Sequence, residues 1–214
     1  LEAAGIDYRA GASVVRIDRD SRAVVLGDGQ ALAYEKLLLA TGARPRQLAC
    51  PGADRALDFR TYADATAIFS RVETGSRVAI VGGGLIGMEL AAVLRGKGIA
   101  TSVIEAALKP LGRAVPARFA ERLHARHVEE GVEFHLGQGI AEITSDAVIL
   151  NNGTRVPADI VVAAIGVVPD IQLAETVGLA TGNGILTDAF LRTSDPCIFA
   201  AGDCASVAQP AGGH

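Results

Sequence analysis

One stretch constrains this chain more than any other. The short β-branched run Arg77–Val81 (RVAIV) leads straight into Gly82-Gly83-Gly84-Leu85-Ile86-Gly87. A Leu-, Ala- and Val-rich segment over 88–97 follows and stops at Gly98, and a second strand over 101–104 ends at Glu105. Strand, G-x-G-x-x-G, helix, strand and acid within about 30 residues are the dinucleotide-binding fingerprint of a βαβ unit. Each glycine has its own physical task. Gly82 permits the tight turn, Gly84 lets backbone approach a diphosphate, and Gly87 lets the helix lie against the strand. Leu85 and Ile86 fill the loop between the last two glycines, where the helix N-terminus offers unpaired N–H groups and about half a positive charge to the phosphates.

Glu105 stands where a carboxylate accepts hydrogen bonds from both ribose hydroxyls of an adenosine and repels a 2′-phosphate. Ala106-Ala107 supplies no Arg to welcome one, which favours NAD, while Lys109 and Arg113 leave NADP open. Glu89, two residues beyond Gly87, has two readings on the residues alone. One is a carboxylate on the first helical turn that is solvated or satisfies the helix dipole; the other is a functional acid.

Self-comparison exposes a repeat. Residues 29–45 (GQALAYEKLLLATGARP) lie without gaps on 153–169 (GTRVPADIVVAAIGVVP), matching Gly29 with Gly153, Gly42 with Gly166 and Pro45 with Pro169. A strand pair precedes each copy: Val14–Asp18 and Ala23–Leu26 before the first, 140–144 and Ala147–Leu150 before the second. Turn signals at 27–29 and 151–153 follow. Each copy ends in a continuous apolar strand, as expected for a central parallel strand covered on both faces. The second copy is preceded by the βαβ unit and the first is not. The expectation is therefore a piece of a longer protein whose first module has its own glycine loop upstream of Leu1. The opening residues 1–5 read as the last turn of a helix ended by Gly5.

Composition narrows the class. Half of the 214 residues are hydrophobic and 21% are charged, enough for a packed core rather than a disordered tail. No apolar run approaches the roughly 20 residues of a membrane span. The net charge of −4 comes with scattered basic residues, so no nucleic-acid footprint is visible. Cys50, Cys197 and Cys204 form no C-x-x-C and read as small buried hydrophobes. His124 and His127 sit on a helix expected over 116–130, among Glu121, Arg122, Arg126 and Glu129. That spacing makes at most half a metal site, no third ligand is suggested, and the expectation is a solvated face without metal.

The segments LLLATGARPR, VAIVGGGLIGMELAA, VVAAIGVVPD and IFAAGDCA, in that order, resemble the FAD/NAD-dependent pyridine nucleotide-disulfide oxidoreductase superfamily. Within it they are most similar to the ferredoxin and rubredoxin reductases of bacterial oxygenase systems. The resemblance implies an α/β fold in which a Rossmann-like NAD-binding domain, a parallel sheet plus β-meander, is inserted in a partial, similar FAD-binding domain. The implied boundaries are 1–45 for the first FAD segment, 46–168 for the NAD domain and 169–214 for the returning FAD segment. It implies FAD and NAD as cofactors, a cytoplasmic protein, and hydride transfer from NADH to FAD followed by electron delivery to a ferredoxin or rubredoxin-type acceptor. Alternatives are a disulfide reductase or NADH oxidase of the same superfamily, or an NAD-binding module without activity. The oligomeric state stays open.

Residue by residue, Gly82, Gly84, Gly87 and Glu105 match the family's NAD site, and Ile165 and Gly166 match the edge of the nicotinamide pocket. Glu89 matches the acid of a G-x-x-x-E pattern near nicotinamide and flavin, which favours the functional reading. On the FAD side, Thr41-Gly42 matches the crossover beside the flavin and Arg60 an FAD-contacting arginine; a surface Arg before a helix is its alternative. Asp203 matches the aspartate on the ribityl chain, with a helix N-cap as the alternative. Val14 matches a position whose backbone meets the adenine.

Overall fold

The computed structural model describes residues 4–112 and 114–208. The helix end expected at 1–5 therefore falls mostly outside the described residues, as does Arg113. The chain divides into two compact units. Residues up to Arg44 together with those from Val168 onward form one, and Pro45–Val167 forms the other.

The Pro45–Val167 unit is built on five parallel strands in the order Ala56–Asp58, Ile160–Ala163, Arg77–Val81, Ala100–Glu105, Glu133–Leu136. Successive side chains of Arg77–Val81 face opposite sides of the sheet. Val78 and Ile80 join Ile68, Leu90 and Leu94 in a core on the helical side. Ala79 and Val81 pack with Ile143, Val148, Leu150 and Val156 on the other. That second layer is an antiparallel meander of Ile140–Ile143, Ala147–Leu150 and Arg155–Pro157. Ile80, Val103 and Val162 are wholly buried, each side chain contributing about 1.5–3 kcal/mol relative to exposure.

The helix after the glycine loop runs Leu85–Gly96, starting three residues earlier than its apolar pattern suggests. Gly84, in an extended conformation, is its N-cap, and Gly87, Leu90, Ala91 and Leu94 form the buried stripe. Gly98 at φ +77° ends the segment. Glu89 is consequently on the second turn, not the first, so satisfaction of the helix dipole loses its basis.

The helix Ala117–Glu129 corrects a second expectation. Its histidines do not form a solvated face; they are half-buried on the inward side with Ala120. The His124 ring meets Phe134 edge-on at 4.4 Å between centroids, and its Nε2 is buried without a partner. Burial holds the His124 pKa below its usual value, with His127 adding to the effect. His127 places Nδ1 2.8 Å from the Leu123 carbonyl oxygen and Nε2 2.9 Å from that of Met88. The spacing i, i+4, i+7 of Ala120, His124 and His127 is the core-facing stripe, while Phe119 and Leu123 stay exposed. Among the described residues no cluster suited to a metal ion occurs.

Asp159 ties the start of two central strands together. Its carboxylate accepts from the Arg77 backbone N–H at 2.9 Å and from the Arg77 guanidinium, and its own N–H donates to the Arg77 carbonyl at 2.9 Å. The Arg77 bonds depress the Asp159 pKa from 3.8 to about 2. A depressed carboxyl stabilises the folded state fully above its unfolded pKa and loses that contribution as pH falls through the folded value. Asp159→Asn is expected to lower the melting temperature at pH 7, with the difference from wild type closing as pH falls towards about 2. A thermal-melt series across pH checks the sign.

The other unit repeats the meander with Val14–Asp18, Ala23–Leu26 and Ala31–Ala33. In both meanders the ladder slips after its first pair, Val14↔Leu26 and Ile140↔Leu150. Gly29 and Gly153 are left-handed at φ +87° and +83°, and Gly42 and Gly166 at +71° and +92°. The apolar strands differ. Ile160–Ala163 is buried throughout with a strand on either side. Leu37–Leu39 pairs among the described residues with Ile198–Ala200 alone, and Leu38 is 57% exposed. Coverage of both faces is thus seen for the second copy.

All three cysteines are free thiols, but only Cys204 is buried; Cys50 and Cys197 are half-buried, against the expectation for all three. No helix among the described residues is long and apolar enough to cross a membrane.

Candidate functional site

A cleft of about 900 Å³ opens in the Pro45–Val167 unit, walled by the glycine loop, Glu105, and the Ala164–Gly166 segment. It lies beyond the carboxyl ends of Arg77–Val81 and Ile160–Ala163, which are neighbouring parallel strands of the sheet. Ligands of open α/β sheets bind in the crevice outside the carboxyl ends of the strands.

The glycines of the loop divide by what surrounds them. Gly82 holds φ +110°, and a Cβ there would stand 2.4 Å from the Ala164 carbonyl oxygen. A Cβ on Gly87 would meet the Gly82 carbonyl oxygen at 2.0 Å, so any side chain forces the helix away from the loop. A Cβ on Gly84 would meet nothing within 4 Å. No side chain caps the helix that Gly84 begins, which leaves the first-turn amides of Leu85, Ile86 and Gly87 to a ligand or water. Two glycines are demanded by packing, and the third borders open space in the cleft. That cradle fits a diphosphate.

Glu105, half-buried at the tip of Ala100–Glu105, is held by backbone. Its Oε2 accepts from the Gly83 N–H at 2.7 Å and its Oε1 from the Ala107 N–H at 2.8 Å. An ionised carboxylate has about four acceptor positions, so both oxygens retain capacity for a pair of hydroxyls. Lys109, the described cation nearest in sequence that would welcome a 2′-phosphate, is paired at 2.9 Å with Glu121. Ile165 and Gly166 line the cleft, and the Gly166 carbonyl accepts from the Arg46 N–H at 3.0 Å. Glu89 is exposed and outside the cleft wall, on a helix face shared with Leu85, Ile86 and Val93.

In the other unit, Leu37–Leu39 and Ile198–Ala200 run parallel, so the residues after each emerge at one edge. Thr41 Oγ1 donates to the Asp170 carbonyl, and the Asp170 N–H donates to the Gly42 carbonyl at 2.9 Å. Asp203 is exposed in the short 3-10 turn Gly202–Cys204, whose N-cap is Ala201; the N-cap alternative for Asp203 is thereby excluded. Val14 opens its strand, paired with Leu26. Arg60 is exposed just before the helix Tyr62–Phe69 in the Pro45–Val167 unit, its N–H donating to Asp64.

Sequence reasoning missed two walls of the cleft, Leu48–Ala49–Cys50 and Gln138–Gly139–Ile140. The first is placed by the turn at Pro51-Gly52, where Gly52 adopts φ +75° against Ile143. The second follows Glu133–Leu136, and the Gln138 N–H donates to the Glu105 carbonyl. Neither has a periodicity to reveal it. Burial raises the Cys50 thiol pKa.

The family model for pyridine nucleotide-disulphide oxidoreductases matches residues 2–213. The chain belongs to the pyridine nucleotide-disulphide oxidoreductase family. Among relatives in that family, rhodocoxin reductase of Rhodococcus erythropolis is 41% identical over 212 residues, 96% of this chain and 50% of the relative. Putidaredoxin reductase CamA of Pseudomonas putida is 37% identical, with 95% and 51% covered. The ferredoxin reductase for the CYP199A2 system from Rhodopseudomonas palustris superposes with a TM-score of 0.89 at 37% identity, over 92% of this chain and 50% of that one. The chain thus spans about half the length of the family members it matches.

Proposed function

We propose that this oxidoreductase takes NADH in the cleft of the Pro45–Val167 unit and passes its reducing equivalents through FAD to a ferredoxin or rubredoxin-type acceptor in the cytoplasm. One observation carries the nucleotide half: a backbone-anchored carboxylate, Glu105, faces the same cleft as an uncapped helix N-terminus. A diphosphate and a ribose need just those two partners, one donor-rich and one acceptor-rich. The names of the relatives support the acceptor: rhodocoxin, putidaredoxin and rubredoxin reductases among proteins, and a covalent putidaredoxin reductase–putidaredoxin complex among structures.

The roles of the residues follow. The first-turn amides of Leu85, Ile86 and Gly87, with Gly84, hold the diphosphate, and Glu105 holds the adenosine ribose and disfavours a 2′-phosphate. Ile165 and Gly166 back the nicotinamide. Thr41, Gly42 and Asp203 present the polar edge offered to FAD, with Val14 and Arg60 assigned to FAD by resemblance and Glu89 to the nicotinamide and flavin. Bound FAD supplies the chemistry that links a hydride donor to one-electron acceptors; the protein's part is orientation and the exclusion of competing geometry.

The test uses the purified chain. Calorimetry is expected to show one NADH site, and the flavin absorption band of FAD-loaded protein is expected to bleach anaerobically on NADH addition. Re-oxidation by an added ferredoxin completes the reading. A colourless chain that binds NADH would retain the nucleotide assignment and lose the flavin one. No heat with NADH would overturn both.

A further inference from the structure

The glycine loop is gripped at its middle residue by the segment 105–112. The Gly83 N–H donates to Glu105, as described, and the Gly83 carbonyl accepts from the Leu111 N–H at 2.8 Å. Leu111 holds φ +60°, a left-handed conformation that leucine rarely adopts. Its side chain is 4% exposed and packs with Met88 of the loop's helix and Ala120 of the next helix, with Val115 and Phe134 against them. Pro110, buried beside it, stands 3.1 Å from where a Gly83 side chain would begin. Such a conformation persists only where the surroundings over-determine it. Here an apolar socket and a backbone hydrogen bond do so together.

The consequence is directional. The Gly83 carbonyl and the Gly84 N–H belong to one planar trans peptide group, in which the two point opposite ways. Drawing the carbonyl onto Leu111 turns the Gly84 N–H away from Leu111, and Gly84 lines the cleft with nothing within 4 Å of where its Cβ would stand. We infer that Leu111 is a positioning residue that aims the Gly84 N–H at the diphosphate of a bound dinucleotide. The inference rests on the cleft being the nucleotide site.

Titration of the chain with NADH, ADP-ribose and adenosine tests it. Leu111→Ala is expected to weaken NADH and ADP-ribose about tenfold, the worth of one charge-assisted hydrogen bond. Adenosine has no diphosphate and should change by less than about twofold on the same argument. Leu111→Met, which refills the socket, should restore the affinity for both diphosphates. Equal weakening of all three ligands, or unchanged NADH affinity, overturns the assignment. Wild-type protein that binds neither NADH nor ADP-ribose sinks the nucleotide-site reading instead, a separate result. Where Leu111→Ala does not fold, wild-type hydrogen exchange decides: ADP-ribose should slow exchange at the Gly84 and Leu111 amides, and unaltered rates at both reject the proposal.

Discussion

Gly82→Ala is expected to weaken NADH binding roughly a hundredfold and to lower the melting temperature by several degrees. The native φ of +110° lies where side chains are strained, at a cost of about 1–3 kcal/mol. The added Cβ would also overlap the Ala164 carbonyl oxygen, 2.4 Å away, which is backbone of a central strand's end and cannot swing aside. The loop itself must move, giving up the Gly82 N–H bond to Ile104 and displacing the amides that follow. Losing two such amide contacts to a diphosphate amounts to about 3 kcal/mol, roughly a hundredfold in affinity. Gly84→Ala is the informative contrast. Its φ of −76° suits alanine and nothing lies within 4 Å, so stability should hold while NADH affinity falls because the Cβ occupies the approach. Calorimetry paired with thermal melts separates the two. A Gly82→Ala protein that binds NADH normally would end the assignment of this loop.

The second large effect belongs to Glu105. Its truncation to alanine removes the acceptor proposed for two ribose hydroxyls and also releases the Gly83 and Ala107 amides that it holds. Charge-assisted hydrogen bonds contribute about 1.5–3 kcal/mol each, so NADH affinity should drop on the order of a hundredfold. NADPH binding should fall much less, because repulsion of the 2′-phosphate disappears with the carboxylate. Glu105→Gln keeps an acceptor for one amide and turns an NH₂ towards the other, which predicts an intermediate loss. The Lys109–Glu121 pair is exposed on both sides and contributes little to stability. Breaking it by Glu121→Gln in the Glu105→Ala background should therefore free a cation and raise NADPH affinity further. Unchanged NADH/NADPH preference in Glu105→Ala would count against the ribose contact.

Much of this site was legible before any coordinates. Gly82, Gly84, Gly87 and Glu105 were readable because a tight turn, a close backbone approach and a strand-end acid each demand a residue type at a fixed offset. The repeat was readable because Gly29/Gly153 and Gly42/Gly166 mark equivalent left-handed turns. The histidine-bearing helix was misread for an equally physical reason. Its charges crowd the outer face, and its inward stripe is Ala120, His124 and His127 rather than aliphatic, so polarity alone gave the wrong reading of the histidines. Glu89 was placed one turn early because the two residues before Gly87 carry no helix signal of their own, while the backbone of Gly84 makes them helical.

Local chain chemistry was enough to specify the βαβ unit, its glycine loop and its terminal acid, since those depend on steric freedom and hydrogen-bonding type within a single contiguous segment. Packing between segments distant in sequence settled the rest. It joined Leu48–Cys50 and Gln138–Ile140 to one cleft and seated a left-handed Leu111 against the Gly83 carbonyl. A backbone amide has the same chemistry at every position, so only the folded neighbours decide which carbonyl it grips and where the next N–H points.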